Sequence, residues 1–408
     1  MNVLFLNPVG TLGGGERSLL DTLAVLGKLR PDLALRVIAG ADGPLVQESA
    51  RLGAVTEVVP MPSALAGFGE SGLLWAGGRF ARVLGLGVQA ARAGLAVPGY
   101  LRRLRRAVAR HRPRLIHSNG VKCHLLAGFA APARCPVVWH VRDFLSSRPL
   151  LGRGLKRLAR MPAAVVANSE ATAADTRLVL PGVRVEAVYN GIDTGHFVPP
   201  GAAADLDVLA GLPPAEPGTL RVGLVATYAR WKGQDVFLAA AAELVKAGLP
   251  GVRFYVVGGA VYSTGGSQFS ESELRARASE LGIAGRCGFV PFQQSLPPIY
   301  RALDVVVHAS TRPEPFGRTI VEAMACGRAV VVAAAGGAAE LFADGVNALG
   351  RPPGDVPALA RAIRALAEDA SLRARLGANA RETAVTRFDV ARYGPRLLGV
   401  YRSVVGEF

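Results

Sequence analysis

A chain of 408 residues is long for one hydrophobic core and suits two domains of ordinary size. Half of it is apolar and 19% is charged, which excludes a disordered or collagen-like chain and indicates a globular fold. Its formal net charge of +16 points to an anionic partner or surface, and excludes an acidic solvating chain.

The first residues, Met1–Asn7, carry no basic n-region and run into Pro8 and Gly10, so they read as a buried strand rather than a signal peptide. Short apolar runs then recur at Arg36–Ala39, Leu115–His117, Val137–His140, Ala164–Ala167 and Val185–Tyr189, with Val3–Leu6 as the first. Between them, stretches such as Ser18–Leu29 and Gly120–Ala131 have the apolar spacing of helices. That alternation is the signature of βαβ units on a parallel sheet. Residues 194–219 break it with Pro199, Pro200, Gly211, Pro213, Pro214, Pro217 and Gly218, a turn-rich connector. The alternation then resumes, with strands expected at Leu220–Ala226, Arg253–Val257, Cys287–Val290, Val305–His308 and Ala329–Ala333, and helices at Val236–Ala247 and Leu274–Leu281. From Phe388 through Tyr393, Leu397, Leu398 and Tyr401 a final helix is expected. The predicted division is 1–195, a linker at 196–218, 219–388, and a terminal helix at 389–408 that returns to the first domain. No apolar run reaches the roughly 18 residues of a membrane span.

The positive charge is uneven. Residues 1–200 hold 25 Lys/Arg against 12 Asp/Glu, and the remainder hold 22 against 19. No acidic residue lies between Glu70 and Asp143, where ten arginines from Arg79 to Arg114 are spaced among Leu, Val, Trp75 and Phe80. Such a basic amphipathic stretch fits an anionic lipid surface. Arginine-rich composition alone is the plain alternative. The four cysteines, Cys123, Cys135, Cys287 and Cys326, form no C-x-x-C pair, which argues against a zinc site or disulfide framework and suits a reducing cytoplasm.

Candidate chemistry concentrates in four places. Glu314-Pro-Phe316-Gly317-Arg318-Thr319-Ile-Val-Glu322 follows a strand end, and Pro313 and Pro315 keep Glu314 on a loop. Helical sequence starts near Gly317, so the amides of Gly317, Arg318 and Thr319 would offer an anion site for a diphosphate. Carboxylates suit sugar hydroxyls because each accepts several charge-assisted hydrogen bonds. Second, Arg230 and Lys232 sit at a strand–helix junction, where cations neutralise a leaving diphosphate. Third, Gly13-Gly14-Gly15-Glu16 follows the first strand and opens a helix. Fourth, His117 and His140 close two strands of the first half, with Lys122, Arg142 and Asp143 as acceptor-side candidates.

The Glu314–Glu322 block, followed by Ala329–Val332, Gly336-Gly337 and Glu340, resembles the donor domain of retaining glycosyltransferases of family 4. Asn190-Gly-Ile-Asp193 with Phe197 resembles the family's interdomain signature, and Val166-Ala-Asn-Ser169-Glu170 its preceding strand end. The likeness implies the GT-B fold, two Rossmann-like domains facing each other across a cleft. It implies that Glu314 contacts the donor sugar, Glu322 the ribose, Gly14 and Gly15 the diphosphate, and His140 the sugar near the reacting carbon. In that family an arginine commonly precedes the lysine where this chain has Thr227, so Arg230 is the substitute expected here.

The resemblance implies a metal-independent enzyme needing no cofactor beyond its nucleotide-sugar donor. It would transfer a hexose-type sugar to a sugar or lipid-linked acceptor with retention by front-face attack, in cell-envelope or glycoconjugate synthesis. The expected location is the cytoplasm, peripheral on the inner face of the membrane. A nucleotide-sugar epimerase and a non-catalytic sugar-nucleotide-binding protein are the alternatives. No aromatic ladder or nucleic-acid motif is visible, so nucleic acid is not an expected partner.

Overall fold

The structure, a computed structural model, describes all residues except 67–78, 148, 261–266 and 408, and the side chains of 79–93 and 149–151 also lie outside the description. Trp75, Phe80, Arg79, Arg82 and Arg92 of the basic stretch therefore fall outside it. The chain divides into two compact units, Met1–Gly191 with Val390–Phe408, and Ile192–Asp389.

Among the described residues of the first unit, seven strands form one parallel sheet in the order β3-β2-β1-β4-β5-β6-β7. They are β1 (Asn2–Asn7), β2 (Ala34–Ala39), β3 (Val55–Val58), β4 (Leu115–Asn119), β5 (Val137–Val141), β6 (Ala164–Ala167) and β7 (Val185–Ala187). Apolar side chains alternate across the sheet and both faces are covered, as a parallel sheet requires. Leu4, Leu6, Ile116 and Trp139 enter one core, while Val3, Phe5, Leu115 and Val138 enter the other. The second core is completed by the helices Gly14–Leu29 and Val390–Val405, the latter through Tyr393, Leu397, Val400 and Tyr401. These two helices approach closely: a Cβ at Gly394 would lie 2.5 Å from Leu29 Cδ1. Their contact is also pinned by a 2.7 Å hydrogen bond between the Thr22 and Tyr393 hydroxyls.

The second unit repeats the plan with six described strands in the order β10-β9-β8-β11-β12-β13, all parallel. They are β8 (Leu220–Val225), β9 (Val252–Gly258), β10 (Cys287–Pro291), β11 (Val305–His308), β12 (Ala329–Ala333) and β13 (Leu349–Arg351). Strand order reverses between β1 and β4 in the first unit and between β8 and β11 in the second. Loops leaving the carboxyl ends of strands at such a reversal diverge to opposite faces, opening a crevice where ligands bind in doubly wound sheets. The four candidate clusters all follow the ends of β1, β4, β5, β8 or β11.

Two edge strands, β3 and β13, lie outside the apolar runs of the sequence. Each is only three or four residues long, and neither gives a sustained apolar run: β3 carries Thr56 and Glu57, and β13 carries Gly350 and Arg351. The predicted linker 196–218 is corrected as well, because it is part of the second unit. It contains the helical turn Leu206–Ala210, capped by the Asp205 carboxylate and stopped by Gly211 at φ 66°. Asp207 then accepts hydrogen bonds from Arg253 and the Tyr255 hydroxyl, each 2.6 Å, which fixes the segment to the sheet. Proline and glycine mark real turns, but the buried carboxylate that anchors them pairs with residues about fifty positions away. Just before this segment, Nη1 of Arg381 donates to the carbonyls of Thr194, Phe197 and Ala325, tying residues 194–197 to the same unit.

Candidate active site

In the second unit the chain leaves β8 and makes a short 3-10 turn, Arg230–Lys232, closed by Gly233 at φ 76°. The Lys232 ammonium lies 4.1 Å from the Trp231 ring centroid and donates to Glu314 Oε2 at 2.6 Å. Glu314 follows β11 and is held by its own backbone: its N–H donates to Ala335 O, and its carbonyl accepts from Gly337 N–H at 2.7 Å. The same Oε2 lies 3.0 Å from Ser310 Oγ and 3.3 Å from His308 Nε2. Oε1 accepts no hydrogen bond from the described residues. Glu314 is 8% exposed. Burial is the largest influence on its carboxyl and pushes it up, but the Lys232 charge and the His308 hydrogen bond overcome this and hold it well below the usual carboxylate range. Burial pushes His308 down, leaving a neutral ring whose Nε2–H donates. The result is an ionised carboxylate with one oxygen saturated by protein and one left to accept.

The helix Arg318–Ala325 starts at Gly317, φ 98°, as expected for its amino end. Glu322 lies inside it, and each of its oxygens accepts one hydrogen bond: Oε1 from Arg318 Nε at 2.6 Å and Oε2 from the Tyr300 hydroxyl at 2.8 Å. Its side chain is 2% exposed, and the bond to Glu322 fixes Arg318 one turn earlier on the same helix. The Phe316 side chain is buried against Phe388, centroids 6.1 Å apart. Thr319 is half-buried in the first turn.

Arg230 is not brought to this cluster among the described contacts. Its guanidinium bonds Glu273 at 2.7 Å and sits 4.2 Å from the Phe269 ring centroid. The two positions separating it from Lys232 in a 3-10 turn send the side chains in different directions. Thr227, at the position where the resemblance expects an arginine, contributes only its carbonyl, to Gln234 Nε2 at 2.7 Å.

In the first unit, Gly13 caps the helix Gly14–Leu29 and its N–H donates to Glu16 Oε2 at 3.1 Å. A Cβ on Gly14 would meet nothing within 4 Å, and one on Gly15 only Arg142 Cδ at 3.8 Å. Packing inside the protein therefore does not demand glycine at either position. At the end of β5, His140 is fully buried, with Nδ1 3.0 Å from His117 Nε2 and 3.1 Å from Arg142 Nη2. His140 Nε2 is buried without a partner among the described residues. Arg142 also donates to Asn190 Oδ1 at 2.7 Å, which ties it to both the histidine cluster and Asn190. Lys122 donates to the Ala66 carbonyl, and Asp143 is half-buried just after β5. Among the described residues, no three His, Cys, Asp or Glu side chains cluster as a metal would need.

Comparison with known proteins follows the same division. Residues 12–196 match the description Glycosyltransferase Family 4, and residues 215–383 match Glycosyl transferases group 1. The lipopolysaccharide core biosynthesis mannosyltransferase LpsB of Rhizobium meliloti is 33% identical over 252 residues, 61% of this chain and 68% of that protein. The chain belongs to glycosyltransferase family 4. A crystal structure of Anabaena HepE in complex with UDP matches this family-4 chain with TM-score 0.77 and 30% identity, over 99% of this chain and 100% of HepE. The architecture is therefore that of the GT-B class, two Rossmann-like sheets. The D-inositol 3-phosphate glycosyltransferase of Mycobacterium ulcerans is 36% identical over 234 residues, 55% of this chain but 46% of that relative. The chain thus spans less than half the length of that relative.

His308, Ser310, Tyr300 and Tyr401 are functional candidates that the sequence alone does not single out. His308 and Ser310 flank Ala309 at a strand end, the spacing that puts two side chains on one face, and that is the available signal. Tyr401 has none, since its partner is 284 positions away.

Proposed function

We propose that this chain is a retaining glycosyltransferase that moves a hexose-type sugar from a nucleotide-diphosphate sugar to an acceptor hydroxyl. The observation that carries the reading is Glu314: a buried, ionised carboxylate at the β8/β11 reversal, fixed by Lys232, His308 and Ser310, with Oε1 open to a sugar hydroxyl. HepE was crystallised with UDP and with UDP-glucose, which supports a nucleotide-sugar donor of that kind here.

In this mechanism the bond between the anomeric carbon and the diphosphate breaks as the acceptor oxygen attacks from the same face. The acceptor proton passes to the departing phosphate oxygen. Lys232 supplies positive charge to the leaving group as it develops. The amides opening the helix at Gly317–Thr319 receive phosphate oxygens. His140 donates from Nε2 to a sugar oxygen. Cationic and amide charge takes the place of a metal, so turnover is expected to be insensitive to a chelator.

A panel of nucleotide sugars in a thermal-shift assay with EDTA tests the donor reading. A matching donor raises the melting temperature, because a ligand that binds only the folded state stabilises it. No shift with any nucleoside diphosphate or its hexoses rejects it.

The acceptor is proposed to be a lipid-linked or cell-envelope glycan, reached by a peripheral enzyme. Arg102, Arg106, Arg112 and Arg114 are exposed and have no carboxylate partner among the described residues, which supports an anionic surface contact. No described helix is long and apolar enough to cross a membrane. Flotation with anionic vesicles at low salt should carry the protein upward and release it at high salt; failure to float removes the membrane reading.

A further inference from the structure

In its last turns the helix Val390–Val405 carries Tyr401, whose hydroxyl reaches a buried histidine chain. Tyr401 Oη lies 2.7 Å from His117 Nδ1, His117 Nε2 lies 3.0 Å from His140 Nδ1, and Arg142 Nη2 lies 3.1 Å from that same His140 Nδ1. All three rings are fully or nearly fully buried.

Only one set of proton positions satisfies these distances. A guanidinium can donate but never accept, so His140 Nδ1 must carry a lone pair. A neutral ring with a bare Nδ1 carries its proton on Nε2. The contact between the rings then has to be donated by His117 Nε2–H, because a proton on His140 Nδ1 would face Arg142 donor to donor. His117 Nδ1 is in turn bare and accepts from the Tyr401 hydroxyl. Burial keeps the two rings neutral and the phenol protonated, in the direction the network needs.

We infer that Tyr401 and His117 are positioning residues that set the tautomer of His140, leaving its Nε2–H without an acceptor among the described residues. That donor is buried and unpartnered, an expense a protein avoids unless something else accepts from it. An oxygen of a sugar hydroxyl fits it; this last step rests on the transferase reading, whereas the relay itself does not. The returning helix thereby gains a chemical role, since it carries the first donor of the series, 284 positions from the ring it reaches.

The test is nitrogen NMR of the full chain labelled at histidine. In the unaltered protein, His140 and His117 should each show a protonated Nε2 and a bare Nδ1. Finding His140 protonated on Nδ1 overturns the inference without any variant. In Tyr401→Phe, which keeps the packed ring, the His117 signals should move toward the opposite tautomer and His140 should shift with them; unchanged signals in both rings also overturn it. His117→Gln can still donate from a group near the old Nε2, but His117→Asn cannot reach. The Gln variant should retain the His140 tautomer and the Asn variant lose it, a ranking that packing alone does not produce. In a turnover assay, Tyr401→Phe should raise the KM for the sugar nucleotide about tenfold, the scale of one hydrogen bond, with a smaller change in kcat. A confirmed tautomer with unchanged kinetics would reject the role of His140 in transfer and leave the relay standing.

Discussion

Replacing Lys232 with alanine is expected to cut turnover by at least about a hundredfold, the scale of losing one preorganised transition-state contact. The lysine serves two charges in the proposed reaction. At rest it neutralises Glu314 across 2.6 Å, and in the transition state it meets the departing diphosphate. Its loss leaves Glu314 buried with only the His308 and Ser310 hydrogen bonds, and breaking a buried pair costs about 3 kcal/mol or more. Kinetics should therefore be normalised to folded enzyme. The pH dependence gives a second signature. In the intact protein the Glu314 carboxyl is depressed below its ordinary range, so the stabilisation it contributes is complete above the unfolded value and fades only as pH falls through the depressed one. Without Lys232, burial is opposed only by the hydrogen bonds from His308 and Ser310, and the group moves up from its depressed position. Residual turnover of Lys232→Ala should then fall with acidification at pH values where the unaltered enzyme still holds its rate. Glu314→Ala should lose a comparable factor in turnover. Near-normal turnover per folded molecule in either variant would remove that residue from the mechanism.

Gly233→Ala is expected to be the most damaging single-methyl change near the site. Gly233 has φ 76°, and an added Cβ would fall 1.9 Å from the Ala309 carbonyl oxygen, a backbone atom that cannot rotate away. The left-handed conformation and the overpacking together should cost about 3 kcal/mol. In a unit of this size that lowers the melting temperature by roughly 6–12 °C. Gly248 provides the control. It has φ 73° but open space around the missing Cβ, so Gly248→Ala should lose only the conformational part, about 1–2 kcal/mol. Calorimetry on both variants separates the two effects. Equal melting temperatures for the pair would show that the close approach of Gly233 to Ala309 adds no cost beyond the left-handed conformation.

Much of this architecture is readable because parallel strands buried on both faces leave unmistakable apolar runs. Every described strand except β3 and β13 corresponds to such a run, Val305–His308 and Ala329–Ala333 among them. What stays hidden depends on partners distant in sequence. Asp207 gives no sign that it will be bonded by Arg253 and Tyr255, and so residues 196–218 read as a free connector. Glu314 is legible because two prolines confine it to a loop. The direction of Glu322 is not, since it is decided by Tyr300 on another helix and by Arg318 one turn earlier. Arg230 illustrates the limit of spacing arguments: two residues from Lys232 looks close enough to share its role, but a tight turn separates the side chains.

The central claim is that this chain breaks a nucleotide-sugar bond for the benefit of an acceptor and keeps the anomeric configuration. The direct measurement is NMR of a reaction holding a nucleotide sugar that the enzyme binds, with and without a panel of sugar and lipid-linked acceptors. The account predicts nucleoside diphosphate released in step with a new glycoside of the donor's own anomeric configuration, and only when an acceptor is present. Conversion of the donor to an epimer with no acceptor, or a product of inverted configuration, would contradict it.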